Sequence, residues 1–146
     1  MMVEAKQRLA SFSEAERLPI PKLLGVTILT SLDEGDLSEL GMKLGVRSSV
    51  AMLADLAVKS GLDGIVASPQ ELDLLQLEDR RELLCVIPGI RPEGTPADDQ
   101  RRSMTPGEAI SRGADYLVIG RPITRAPDPL EAAREINRQV SIVRRG

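Results

Sequence analysis

The stretch YLVIGRPITRAPDP, residues 116 to 129, decides the fold. Its four leading residues read as a short strand buried in a sheet, and the run stops abruptly at Gly120-Arg121-Pro122. A helix start follows, with Asp128 as cap, Pro129 at the first helical position and Glu131 at the third. Strand, Gly-Arg, loop and capped helix is the order of a parallel α/β protein. In such folds ligands gather at the C-terminal tips of the strands.

Three further apolar runs precede it: Leu23 to Leu29, Leu62 to Ala67 and Leu83 to Ile87. None alternates cleanly with polar residues, so all four runs are expected to be strands covered on both faces of a parallel sheet. Helical patterns lie between them. Val50, Leu53, Ala54 and Ala57 fall at i, i+3, i+4 and i+7, and Gly61 supplies a stop. Leu130, Ala133, Ile136, Val140 and Val143 trace one face of a last helix. Ser68-Pro69-Gln70-Glu71 and Thr105-Pro106-Gly107-Glu108 repeat the cap-Pro-x-Glu signature of Asp128. A first helix is expected over Met1 to Ala10, with a polar linker to Pro21, and a long loop over Pro88 to Met104. Strand-helix order repeated four times predicts a parallel sheet. A closed (β/α)8 barrel takes ~250 residues, and this chain of 146 has little more than half of that. No strand is followed by G-x-G-x-x-G, so the dinucleotide fingerprint is absent.

Composition narrows the chemistry. With 42% hydrophobic and 28% charged residues the chain is ordinary for one globular domain over 1–146. A net charge of -3 argues against nucleic acid or an anionic membrane as partner. No apolar run reaches spanning length, and the one cysteine, Cys85, fits a reducing cytoplasm. There is no histidine and no tryptophan, which removes imidazole bases and histidine metal ligands. Chemistry must come from Arg, Lys, carboxylates, hydroxyls and backbone.

Gly120-Arg121 is the leading candidate: Gly lets the backbone approach a ligand, and Arg offers a charged, bidentate fork for phosphate. A plain surface arginine after a strand is the competing reading. The polar loop after Ile87 is the second candidate, with Arg91 at its root and Gln100 near its far end able to reach the same anion. Thr30-Ser31 ends the first strand and is expected to cap the next helix with Glu34, the alternative being ligand contact. Cys85, inside a strand, reads as core packing.

The segments GVTILTSLDEGDLSELGM, GLDGIVASPQE and VIPGIRPEGTPADDQRRSMTPGEAISRGADYLVIGRPIT, with the final Asp-Pro helix, resemble the C-terminal half of orotidine 5'-phosphate decarboxylase. The resemblance runs through nearly the whole chain. It implies the second half of a (β/α)8 barrel, strands five to eight in sequential order, with helices on one side and an uncovered inner face. It also implies conversion of orotidine monophosphate to uridine monophosphate and carbon dioxide in pyrimidine synthesis, by a cytoplasmic homodimer without cofactor or metal. Matched position by position, it makes Gly120 and Arg121 the 5'-phosphate grip. Arg91, Gln100 and Thr30 become further substrate contacts, and the loop between Arg91 and Gln100 folds over the phosphate.

One departure is large. The family's chemistry resides in an Asp-x-Lys-x-x-Asp motif at the end of its third strand. The lysines here are Lys6, Lys22, Lys43 and Lys59, and none has Asp two positions before it or three after. The resemblance therefore implies a truncated decarboxylase, inactive alone, with no catalytic residue of the family in the chain. A non-catalytic half-barrel that binds nucleotide phosphate, or a structural oligomer, are the alternatives.

Overall fold

The computed structural model describes residues 1–76, 82–92 and 104–143. Its centre is a four-stranded parallel sheet: β1 (Leu24–Val26), β2 (Gly64–Val66), β3 (Leu84–Ile87) and β4 (Tyr116–Leu117). The strands lie in sequential order, with Leu24 opposite Gly64, Gly64 opposite Leu84, and Val86 opposite Tyr116. Helix α1 (Met2–Glu16) comes first; α2 (Glu34–Glu39) and α3 (Val46–Lys59) join β1 to β2. A single 3-10 turn and α4 (Leu72–Leu75) follow β2, α5 (Pro106–Ser111) precedes β4, and α6 (Arg121–Thr124) and α7 (Pro129–Val143) follow it.

The hydrophobic core lies between one face of the sheet and the helices. Ile65, Cys85 and Ile87 point outward from the strands and are buried against Val50, Ala54 and Leu72. Alternation along a strand sends their neighbours to the other face. There Leu24, Val26, Tyr116 and Val118 are exposed, so the edge strands are not covered on both faces as their composition suggested. An unbroken apolar run cannot say whether its second face meets helices or the inside of a barrel.

Local signals explain the helix ends. Thr105 and Glu108 close a capping box: Glu108 N–H donates to the Thr105 hydroxyl, and Thr105 N–H donates to the Glu108 carboxylate. That carboxylate is held below its usual pKa first by the Thr105 hydroxyl and then by the backbone N–H. The Asp128 carboxylate accepts from Glu131 N–H at 3.0 Å. Ser68 caps the 3-10 turn Pro69–Glu71. Two expectations need correction. The α2 cap is not Thr30-Ser31 with Glu34 but Asp33, in a box with Asp36. Glu34 instead accepts from Val46 N–H at 2.9 Å, at the start of α3. Helix α1 runs past Ala10 to Glu16 and stops where Arg17 turns left-handed at φ 56°.

Candidate functional site

At its C-terminal end the sheet delivers the predicted residues one strand at a time. β4 continues through Val118 and Ile119 to Gly120, which caps α6. Gly120 carbonyl accepts from Ile123 and Thr124 N–H at 2.9 and 3.0 Å, which closes the turn and sets Arg121 in its first position. Arg121 is half-buried. A Cβ built on Gly120 meets nothing within 4 Å, so the space above this backbone is open.

On the neighbouring strand, β3 runs into Pro88-Gly89 and then a two-residue clasp. Ile90 bridges Met104, Arg91 N–H donates to Met104 carbonyl at 2.9 Å, and Met104 N–H donates to Gly89 carbonyl at 3.3 Å. The long loop thus leaves and returns at one point, anchored by the buried Ile90, with half-buried Arg91 at its root. Gln100, the other predicted residue of this loop, lies outside the described residues. Arg91 and Arg121 therefore sit at the tips of adjacent strands.

Thr30 belongs to the opposite edge, beyond β1. With Ser31 it lines a cavity of about 240 Å³ whose walls include Leu29, Val66 and Pro88, spanning the tips of β1 to β3. Thr27 helps fix this end, since its hydroxyl donates to Val66 carbonyl at 2.9 Å. Thr30 and Arg121 share the same end of the sheet but stand three strand spacings apart, roughly 14 Å. Two cationic forks, a cavity walled in part by Thr30 and Ser31 and an open glycine backbone can receive a phosphorylated polar ligand; they supply no general acid between them.

The other end of the sheet carries residues that the sequence reading passed over. Asp63 Oδ2 accepts from Leu23 N–H at 2.8 Å, and Asp115 Oδ2 accepts from Cys85 N–H at 2.7 Å. Each reaches back to the start of the preceding strand. Lys6 and Lys22 pair with Asp63 there, far from the strand tips. Lys6 and then the Leu23 N–H hold the Asp63 carboxyl below its ordinary pKa. A signal was present: Gly61-Leu62-Asp63 and Gly113-Ala114-Asp115 repeat, each with glycine at positive φ, 68° and 95°, ending a helix before a strand. Cys85 is core, its thiol pushed up to about 11 by burial and then by Asp115, which disqualifies it as a nucleophile. Among the described residues no group of three acidic, cysteine or histidine side chains could hold a metal ion, and no helix is long and apolar enough to cross a membrane.

Comparison with known proteins accounts for this arrangement. The model of the Orotidine 5'-phosphate decarboxylase / HUMPS family matches residues 1–136. The orotidine 5'-phosphate decarboxylase of Actinobacillus pleuropneumoniae serotype 5b is 46% identical over 140 residues, 96% of this chain and 59% of that protein. The Geotalea daltonii enzyme is 56% identical over 115 residues, 79% of this chain and 48% of that protein. Among solved structures, orotidine 5'-phosphate decarboxylase from Lactobacillus acidophilus superposes with a TM-score of 0.79 at 36% identity, over 96% of this chain and 58% of that one. The chain spans about half to six-tenths of the length of the curated relatives it matches. On sequence and on fold alike, this chain belongs to the orotidine 5'-phosphate decarboxylase / HUMPS family.

Proposed function

We propose that this chain is the C-terminal, phosphate-gripping half of an orotidine 5'-phosphate decarboxylase, equivalent to strands five to eight of the family's barrel. In this reading it acts in the cytoplasm as a homo-oligomer, without cofactor or metal. The observation that carries it is the placement of Arg91 and Arg121 at adjacent strand tips, beside the open backbone of Gly120. Arg121 holds the 5'-phosphate of orotidine or uridine monophosphate with the backbone at Gly120. Arg91 and Gln100 close on it from the loop, and Thr30 contacts the ligand from the far edge.

The same reading assigns no catalytic residue to the chain. Decarboxylation leaves a carbanion at carbon 6 that needs a proton donor beside it, with negative charge set against the departing carboxylate. Lys6 and Lys22 are tied to Asp63 at the wrong end of the sheet. Lys59 ends α3, which precedes a strand and so points to that same end. Lys43 is exposed between α2 and α3. Phosphate binding is remote binding energy that assists a distant reacting centre, and here it stands without that centre.

Two measurements test this. The purified chain with orotidine monophosphate should give a flat absorbance trace; turnover lost in Lys43→Ala would instead define an unexpected active site. Titration with uridine monophosphate at low salt should show binding that Arg121→Ala weakens by roughly 1.5–3 kcal/mol, the worth of a charge-assisted hydrogen bond. Equal binding by the variant would remove Arg121 from the site.

A further inference from the structure

The inner face of the sheet carries no helix among the described residues. Val26, Tyr116 and Val118 stand 61%, 59% and 51% exposed on it, with Leu24 and Val86 in the same rows. We propose that two copies of this chain close edge to edge into one eight-stranded barrel, β4 of each copy pairing in parallel with β1 of the other. This rests on strand geometry alone and holds whether or not the chain binds a nucleotide.

The chain is internally repeated, and the repeat specifies the joint. The β1–β2 pair and the β3–β4 pair share one pattern: Leu24 faces Gly64 as Val86 faces Tyr116. Asp63 bonds both backbone groups of Leu23 as Asp115 bonds both backbone groups of Cys85. The link between the two pairs sets Leu84 opposite Gly64. Applied once more at the open edge, that link sets Lys22 of the second copy opposite Tyr116, and Leu24 of the second copy opposite Val118.

Two independent features agree with this register. The first is the phase of the hydrogen-bonding groups. Thr27 N–H donates to Val66 carbonyl, so odd residues of β1 turn to β2 and residues 22, 24 and 26 turn to the free edge. Val118 N–H donates to Ile87 carbonyl, so even residues of β4 turn to β3 and residues 117 and 119 turn to the free edge. Those are the sets the joint requires. Pro19 and Pro21, which have no N–H to give, fall in the phase that faces β2.

The second is the stagger. Following the register from Leu24 leads to Gly64, Leu84 and Ala114. The joint then carries it to Ile20 of the second copy, four residues before the start. Two copies accumulate a stagger of about 8, the value at which eight parallel strands close. The rows of branched aliphatic side chains on the two inner faces then become the filled interior of that barrel. Closure also sets Arg121 of one copy beside Thr30 of the other, bringing together two predicted residues that a single chain holds on opposite edges.

The experiment is cross-linking at the joint. In a Cys85→Ala background, Leu24→Cys and Val118→Cys lie roughly 14 Å apart within one chain, too far for a disulfide. Across the joint they are direct neighbours. Oxidation should give a covalent dimer of twice the 15.8 kDa chain, and Val26→Cys with Val118→Cys, two residues out of register, should give several-fold less. Val118→Lys leaves an exposed side chain exposed in the single chain but buries a charge in the barrel. It should weaken dimerisation at least ~100-fold with unchanged far-ultraviolet circular dichroism. A discrete dimer with these responses supports the proposal. A stable monomer at high concentration, an open polymer, or a dimer indifferent to Val118→Lys overturns it.

Discussion

At the N-terminal end of the sheet, Asp63 and Asp115 each bind the backbone of a neighbouring strand, and lysines neutralise the first of them. At the C-terminal end, the strand tips carry Arg91, Arg121, Thr30 and Ser31, with open space above the backbone of Gly120. Both ends are polar. One spends its polarity on holding strands together, and the other places it at the strand tips, where ligands of such folds gather. Family barrels separate stability from chemistry in the same direction, and half the strands are enough to preserve the division.

The comparison breaks most visibly at two glycines. A Cβ on Gly64 would stand 2.5 Å from Leu84 carbonyl oxygen and 2.7 Å from Leu84 Cβ, so β2 and β3 must separate to admit it. Gly64→Ala should cost about 1–3 kcal/mol or more in urea denaturation, as overpacking against backbone does. Gly120→Ala, which meets nothing, should stay within about 0.5 kcal/mol. It should nonetheless weaken uridine monophosphate binding where phosphate occupies that space. A strongly destabilised Gly120→Ala would show that the tip is built for stability too.

A smaller loss is expected from Asp115→Ala, which leaves the N–H of Cys85 facing an emptied site. Roughly 1–3 kcal/mol of stability should go, the cost of orphaning a buried donor. Asp115→Asn keeps an acceptor and should recover part of it. Anion affinity should be unchanged in both; a fall parallel to that of Arg121→Ala would join the two ends into one site.

The smallest effect is a pH dependence at the Asp63 end. Asp63 titrates below its ordinary value, first through Lys6 and then through Leu23 N–H. Its charged form is thus favoured by folding. The stabilisation is complete above the unfolded pKa, near 4, and fades as pH falls through the lower folded value. Asp63→Asn should flatten the acid limb of the stability curve below about pH 4, with little change in its shape above. An unaltered acid limb would mean that the ion pair with Lys6 contributes nothing in solution.

The sequence makes the tips more legible than the joints. Thr105 with Glu108 and Asp128 with Glu131 announce helix starts because cap and acid are three residues apart, a local geometry that needs no tertiary knowledge. The same logic placed Arg91 and Arg121 at strand ends. It failed at α2, where Asp33 competes with Thr30 and Ser31 for one cap and a short Asp36 replaces the usual Glu. Glu34 then serves a different helix, twelve residues away, a contact no local pattern contains. The staples of Asp63 and Asp115 were hidden for a similar reason. An aspartate before a strand looks like loop punctuation until the preceding strand lies beside it. The bare inner face was legible through the half-barrel resemblance and not through composition, because an apolar strand is equally consistent with a helix-covered sheet and a barrel wall.

Tyr116 gives that wall an optical property. It is the chain's one tyrosine, there is no tryptophan, and its ring stands on the uncovered face at the β4 edge. Near-ultraviolet absorption and emission from this protein therefore come almost wholly from a single phenol on that face. A red-shifted, quencher-shielded tyrosine signal marks a covered face, and a water-like, iodide-quenched one marks an open face. The molecule carries its own chromophore for whatever closes it.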